Sequence, residues 1–168
     1  MMGSGKTAVG TALARLLDAP FLDSDAEIER AANASIAEIF RRDGEAFFRE
    51  KETQVIERLL KEQRCVLATG GGAYLAAVNR DNINKNGVAV WLRADLDLLW
   101  SRVRRKPTRP LLQTDRPRAM LARLCREREA SYGSAGLIVD AQRNYSIDEM
   151  ADKVVAALLT RPDVLERA

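Results

Sequence analysis

The first residues of the chain have the types and spacing of a phosphate-binding loop. Gly3-Ser4-Gly5-Lys6-Thr7 directly precedes a segment with helical periodicity. Glycines let backbone N–H groups close around phosphate oxygens at a helix N-terminus. The lysine then reaches the β- and γ-phosphates, and the hydroxyl that follows it binds Mg²⁺. The segment predicts nucleotide binding by Gly3, Ser4, Gly5, Lys6, Thr7 and Ala8.

Part of the usual loop pattern is not in the sequence. The pattern places a further glycine five residues before Gly5, and a hydrophobic strand before that glycine. Neither is present, since the position would precede Met1. In this architecture the strand lies inside the sheet, so its loss should expose strand edges on both sides and uncover part of the core. We therefore expect a start upstream of Met1, by roughly ten residues for a loop and strand of usual length.

Six short motifs follow one another along the chain. They are Gly3-Ser4-Gly5-Lys6-Thr7-Ala8-Val9-Gly10, Asp23-Ser24-Asp25, Gly44 to Glu52 with Phe48-Arg49, Gly70-Gly71-Gly72, Arg109-Pro110-Leu111-Leu112, and Arg128 followed by Tyr132. Each motif alone is modest, but their order and spacing together are specific. With these motifs the chain resembles the shikimate kinase family from Lys6 onward.

The resemblance implies an enzyme that transfers the γ-phosphate of ATP to the 3-hydroxyl of shikimate, in aromatic amino-acid biosynthesis. Phosphoryl transfer depends mostly on positioning and charge neutralisation. Asp23 would hold Mg²⁺ through water beside Thr7, and Asp25 would orient the attacking hydroxyl. Lys6, Asp25 and Arg109 are the expected catalytic residues.

The shikimate carboxylate calls for forked arginine donors. By resemblance these are Arg49 and Arg128, and Glu52 stands three residues after Arg49, where it can fix the arginine rotamer. Gly70, Gly71 and Gly72 would bring backbone N–H groups close to the substrate. The family usually has proline two residues after the late arginine, whereas this chain has Ala130.

A basic, proline-broken segment predicts a mobile lid over about 104–116. By resemblance, Arg109 in this lid would close onto the phosphates and exclude water. Arg102 and Arg143 resemble the residues that flank adenine.

Composition limits the class of protein. The 168 residues carry a net charge of +3, which is too small to imply nucleic acid, and no histidine, which excludes histidine-based catalysis and metal sites. Cys65 and Cys125 do not have metal-ligand spacing and predict free thiols in a reducing compartment. With no long apolar run, we expect a cytoplasmic monomer with no membrane partner.

Short apolar runs alternate with longer periodic segments, which predicts a parallel sheet covered by helices. The clearest strand is Val88–Leu92, and capping boxes begin at Ser35 and Ser146. We expect one α/β domain over 1–168, a three-layer P-loop NTPase with four of the family's five strands and a tail over about 160–168.

Two other interpretations remain. A different small-molecule kinase, of the gluconate or nucleoside monophosphate type, would share the loop and the lid. It would not explain Asp25, Arg49 and the glycine triplet together. An N-terminally truncated, inactive form is the second alternative.

Overall fold

The computed structural model describes residues 1–104 and 110–165, which alternate between helix and strand along the chain. Two short 3₁₀ turns at Ala73–Leu75 and Pro110–Leu112 complete the regular structure of this part. The described helices are α1 Lys6–Leu16, α2 Ser24–Ala32, α3 Ile36–Glu62, α4 Ala77–Asn86, α5 Leu96–Val103, α6 Pro117–Gly133 and α7 Ile147–Leu158; the strands are β1 Phe21–Asp23, β2 Val66–Ala68, β3 Val90–Arg93 and β4 Leu137–Asp140.

The helix boundaries follow local signals in the sequence. Ser35 and Ser146 each form a complete capping box with the glutamate three residues on, as predicted. Gly44 interrupts α3 with a φ of 83° and a ψ of 172°, so this long helix consists of two segments joined at a kink. Asn33 ends α2 in the left-handed conformation, which asparagine tolerates.

Alternate residues of the strands face two separate cores. Val90 and Leu92 of β3 pack with α1 and α7, whereas Trp91 packs on the other face with residues of α3, α5 and α6. The period of two along a strand explains this division. The helices therefore cover both faces of the strand layer, and the predicted α/β class is confirmed.

The strand layer is divided into two parallel pairs. β1 pairs with β2, and β3 pairs with β4. A cavity of about 900 Å³ lies next to β2 and β3 and is lined by residues of both, together with Val9 and Leu13 of α1. β2 and β3 are not paired with each other, so a strand edge lies on either side of this cavity.

The predicted lid falls partly outside the described residues, and Arg109 is among the residues not described. In the described part, no helix is long and apolar enough to cross a membrane. Beyond α7 the chain continues in turns, and Leu165 still packs on the core that contains α1 and α7.

Candidate active site

The phosphate-binding loop owes its shape to two glycines with left-handed backbones. Gly3 has a φ of 77° and Gly5 a φ of 92°, a region that side chains with a Cβ rarely occupy. A Cβ on Gly3 would also lie 2.8 Å from Val103 Cγ1. Gly5 directly precedes α1, and no side chain caps that helix. The first turn of α1 therefore points its N–H groups toward a place suited to an anion.

Side chains tie this loop together and bring positive charge to it. The Met1 carbonyl accepts hydrogen bonds from Ser4 Oγ at 2.9 Å and from Lys6 Nζ at 3.0 Å. Arg102 Nη1 donates to the carbonyls of Gly3 and Ser4, at 3.2 and 3.4 Å. Two cationic side chains thus lie against the backbone of this loop.

The two predicted carboxylates lie at the end of β1. Asp23 caps α2, and its Oδ1 accepts a hydrogen bond from the Asp25 N–H at 3.0 Å. Burial raises the pKa of Asp25 above its ordinary value, the neighbouring Asp23 raises it further, and Lys6 opposes the shift. The influence of Lys6 on Asp25 is consistent with a position near the phosphate loop.

The glycine triplet meets these carboxylates because β1 and β2 pair in parallel. Their register sets Asp23 beside Ala68, so the carboxyl ends of both strands open at the same edge. The fully buried Ser24 accepts a hydrogen bond at its Oγ from the Gly70 N–H, at 3.3 Å. This bond fixes the triplet against the start of α2.

Each glycine of the triplet contacts a different charged side chain. A Cβ on Gly70 would lie 2.7 Å from Asp25 Oδ1, one on Gly71 2.9 Å from Arg128 Nη1, and one on Gly72 2.6 Å from Arg49 Nη1. A side chain at each of these positions would therefore collide with the charged group that its glycine faces. The triplet therefore gathers one carboxylate and two guanidinium groups around a single turn of backbone.

Glutamates on α3 hold Arg49 in place. Its Nη1 donates to Glu52 Oε2 at 2.9 Å and its Nη2 to Glu45 Oε1 at 3.2 Å. The pKa of Arg49 reflects burial, which lowers it, and these hydrogen bonds, which outweigh burial and raise it. The predicted contact between Arg49 and Glu52 is thus present.

Glu52 itself is a buried carboxylate. Its side chain is only 1% exposed, and its Oε1 has no hydrogen-bond partner within the described structure. Burial raises the pKa of Glu52, while its bond to Arg49 acts in the opposite direction.

Arg128 reaches the triplet from α6. Its Nη1 donates to the Gly71 carbonyl at 3.1 Å, and the Tyr132 hydroxyl donates to the same carbonyl at 2.6 Å. Arg128 therefore contacts the glycine triplet although this chain has Ala130 where the family usually has proline.

The structure brings together most of the predicted site residues. Thr7 is exposed on the first turn of α1. Arg143 lies in the exposed turn after β4, and no described contact joins its side chain to the phosphate loop. Within the described residues, no group of three or more Cys, Asp or Glu side chains is arranged to hold a metal ion.

Sequence reasoning left two polar residues of the site without a role. Ser24 is the middle residue of Asp23-Ser24-Asp25, and Tyr132 closes the motif that begins at Arg128. The sequence thus places both residues within motifs, but it does not indicate what their hydroxyls contact. Their partners, Gly70 and the Gly71 carbonyl, depend on the tertiary structure.

Known proteins are similar to this chain both in sequence and in fold. A family model described as shikimate kinase matches residues 2–159. Shikimate kinases of Ruegeria pomeroyi and Cereibacter sphaeroides are each 61% identical to this chain over 166 residues. Both matches cover 99% of this chain, and they cover 85% of the Ruegeria protein and 83% of the Cereibacter protein.

A solved structure of shikimate kinase from Acinetobacter baumannii in complex with shikimate superposes with a TM-score of 0.85 and 39% identity, covering 95% of this chain and 89% of that one. A solved structure of shikimate kinase from Bacteroides thetaiotaomicron superposes with a TM-score of 0.86 and 32% identity, and the match covers 94% of each chain. The predicted P-loop kinase fold is thereby confirmed. The chain belongs to the shikimate kinase family, whose enzymes transfer a phosphoryl group from ATP to a hydroxyl of shikimate.

Proposed function

We propose that this chain phosphorylates the 3-hydroxyl of shikimate, with the glycine triplet as the centre of its acceptor site. The observation that carries the proposal is the convergence of Asp25, Arg128 and Arg49 on three successive glycines. One carboxylate and two guanidinium groups match an acceptor that has hydroxyls at one end and a carboxylate at the other.

Arg49 and Arg128 would bind the acceptor carboxylate. Guanidinium groups form paired hydrogen bonds with carboxylates and keep their charge at all relevant pH values. Arg49 is already held by Glu45 and Glu52 before any ligand binds, so little side-chain freedom remains to be lost. The hydroxyl end of the acceptor would then lie toward Asp25.

Asp25 would accept a hydrogen bond from the attacking hydroxyl. A carboxylate held near a cationic loop can orient that oxygen toward the γ-phosphate and take its proton late in the transfer. Burial, which raises the pKa of Asp25, makes its carboxylate a better proton acceptor than an exposed aspartate.

The donor side would be formed by the phosphate loop. Lys6 and the N–H groups at the start of α1 would bind the ATP phosphates, with Gly3, Ser4, Gly5, Thr7 and Ala8 shaping the loop. Arg102 donates to the carbonyls of Gly3 and Ser4 in this loop, and its position beside adenine remains a prediction. Arg109 from the lid and Arg143 beside adenine remain predictions for this side.

Thr7 and Asp23 are the residues that would hold Mg²⁺. They provide one hydroxyl and one carboxylate, and Mg²⁺ usually completes its shell with phosphate oxygens and water rather than with a protein cage. The oxygen-only chemistry of this pair fits the ion. When bound, Mg²⁺ would neutralise charge on the β- and γ-phosphates.

Kinetics of two arginine variants test the acceptor site. Arg49→Ala should raise the KM for shikimate about ten- to a hundredfold, the loss expected for hydrogen bonds to a charged group, with little change in the KM for ATP. Arg42→Ala, on the same helix and ion-paired with the neighbouring Asp43 at the surface, is the matched control and should leave both constants unchanged. An unchanged shikimate KM in Arg49→Ala would refute the carboxylate assignment.

Thermal shifts discriminate between acceptors. A ligand that binds only the folded state stabilises it by RT ln(1 + [L]/Kd), about 2.7 kcal/mol at a hundredfold excess over Kd. Shikimate should raise the Tm, whereas gluconate and nucleoside monophosphates should not. A larger shift with either of those would favour a different small-molecule kinase.

We further propose that the enzyme acts as a monomer in a reducing, cytoplasmic compartment. Cys65 and Cys125 are both free thiols, half-buried and unpaired with each other, which supports such a compartment. Sedimentation equilibrium at micromolar concentration tests the monomer.

A further inference from the structure

The Gly71 carbonyl accepts two hydrogen bonds of different kinds. One comes from the cationic Arg128 Nη1 at 3.1 Å and the other from the Tyr132 hydroxyl at 2.6 Å. Arg128 and Tyr132 are four residues apart on α6, one helical turn, so both face the glycine triplet from the same side of the helix.

The two donors differ in how firmly they are held. Tyr132 is 7% exposed, belongs to a core cluster, and packs its ring against Trp91 with 5.8 Å between centroids. Its hydroxyl is therefore a fixed donor. Arg128 carries its donors at the end of a flexible side chain, which must turn toward a substrate carboxylate if it is to bind one.

The second donor matters at the moment when Arg128 turns away. Gly71 is half-buried, so leaving its carbonyl without a partner under a bound substrate would cost free energy, and this cost would be subtracted from the affinity for the substrate. With Tyr132 in place the carbonyl stays paired. The trans peptide between Gly71 and Gly72 also keeps its plane, so its N–H continues to point away from α6.

We propose that Tyr132 is a positioning residue for substrate binding: its hydroxyl keeps the Gly71 carbonyl paired and so frees Arg128 for the shikimate carboxylate. The proposal rests on the carboxylate role of Arg128 in the proposed function. The proposal predicts that the Tyr132 hydroxyl affects the affinity for shikimate only while Arg128 is present. A tyrosine with a purely structural role would not show this dependence.

The test compares Tyr132→Phe with Tyr74→Phe. Tyr74 is 8% exposed, and its hydroxyl also donates to a backbone carbonyl, that of Ser134 at 3.3 Å, so it controls for the loss of one buried hydroxyl. Tyr132→Phe should raise the Kd for shikimate, measured by calorimetry, about tenfold, with kcat and the KM for ATP within about twofold of the parent enzyme. Tyr74→Phe should change the Tm only.

The same substitution in an Arg128→Ala background isolates the mechanism. There the Gly71 carbonyl loses its last donor whether or not shikimate is bound, so Tyr132→Phe should no longer change the Kd by more than about twofold. An equal effect in both backgrounds, or no effect in the parent enzyme, would overturn the proposal. If Arg128→Ala itself leaves the Kd unchanged, the failure lies in the proposed carboxylate role of Arg128.

Discussion

Gly72→Ala tests the contact between the glycine triplet and Arg49. Gly72 has a φ of −93° and a ψ of −22°, which alanine adopts without strain. The new Cβ would lie 2.6 Å from Arg49 Nη1, 2.7 Å from Nη2 and 2.9 Å from Cζ. These atoms form the far end of a flexible side chain, so we expect the guanidinium group to move and the backbone to stay.

The displacement should appear in substrate binding. Hydrogen bonds between charged partners contribute about 1.5–3 kcal/mol, so their loss should raise the KM for shikimate about ten- to a hundredfold. The KM for ATP should stay constant, because Arg49 has no role on the donor side. Glu52 is only 1% exposed, so a weakened bond from Arg49 should also destabilise the fold, by about 1–3 kcal/mol, which lowers the Tm by roughly 2–12 °C.

Steady-state kinetics with each substrate varied in turn, together with calorimetric melting, measures both effects. Gly133→Ala is the matched control, since a Cβ there would meet no atom within 4 Å. The reasoning is wrong if Gly72→Ala leaves the shikimate KM unchanged, or if both KM values rise together with a large loss of Tm.

Four further changes give distinct outcomes. Lys6→Met should lower turnover about a hundredfold or more while circular dichroism stays unchanged. Because burial raises the pKa of Asp25 and the carboxylate is the active form, kcat/KM should fall with decreasing pH at a higher pH than an ordinary aspartate gives, and Asp25→Asn should abolish this limb. The pKa of Glu52 is also raised, so between its ordinary and raised values the folded state binds more protons than the unfolded state. The free energy of unfolding measured with urea should therefore decrease as pH rises in this range. Glu52→Gln should make this slope shallower, while Asp25, whose pKa is raised as well, should maintain the rest of it. Six valine, isoleucine or leucine residues joined before Met1 should raise the Tm by about 5 °C or more by entering the cavity between β2 and β3, and proline in the same segment should prevent this.

Local signals explain why much of the fold was predictable. The capping boxes at Ser35 and Ser146, the break at Gly44 and the glycines before α1 all act within a few residues of their own position. Such features need no knowledge of the tertiary structure. The first turn of each of these helices is therefore where sequence and structure agree most closely.

α4 was not predicted, because it lacks these signals. Its N-cap is Ala76, whose side chain makes no capping bond, and only Asn79 and Ile83 of the helix are buried. Its start is stabilised instead by Asn79 Nδ2, which donates to the Ala73 carbonyl at 2.9 Å. A helix held by tertiary contacts gives a weak pattern in its own sequence.

The glycine triplet shows the same limit at the site. The sequence indicates that backbone comes close to something at Gly70–Gly72, but not that each glycine faces a different helix. That assignment follows from the parallel register of β1 and β2, which sets the turn beside Asp25, and from the positions of α3 and α6, which bring Arg49 and Arg128 to its next two residues. Because three separate elements meet at one turn, a Cβ at any of the three positions should disturb a different partner. A comparison of alanine variants at these positions would therefore separate carboxylate binding from hydroxyl orientation within a single loop.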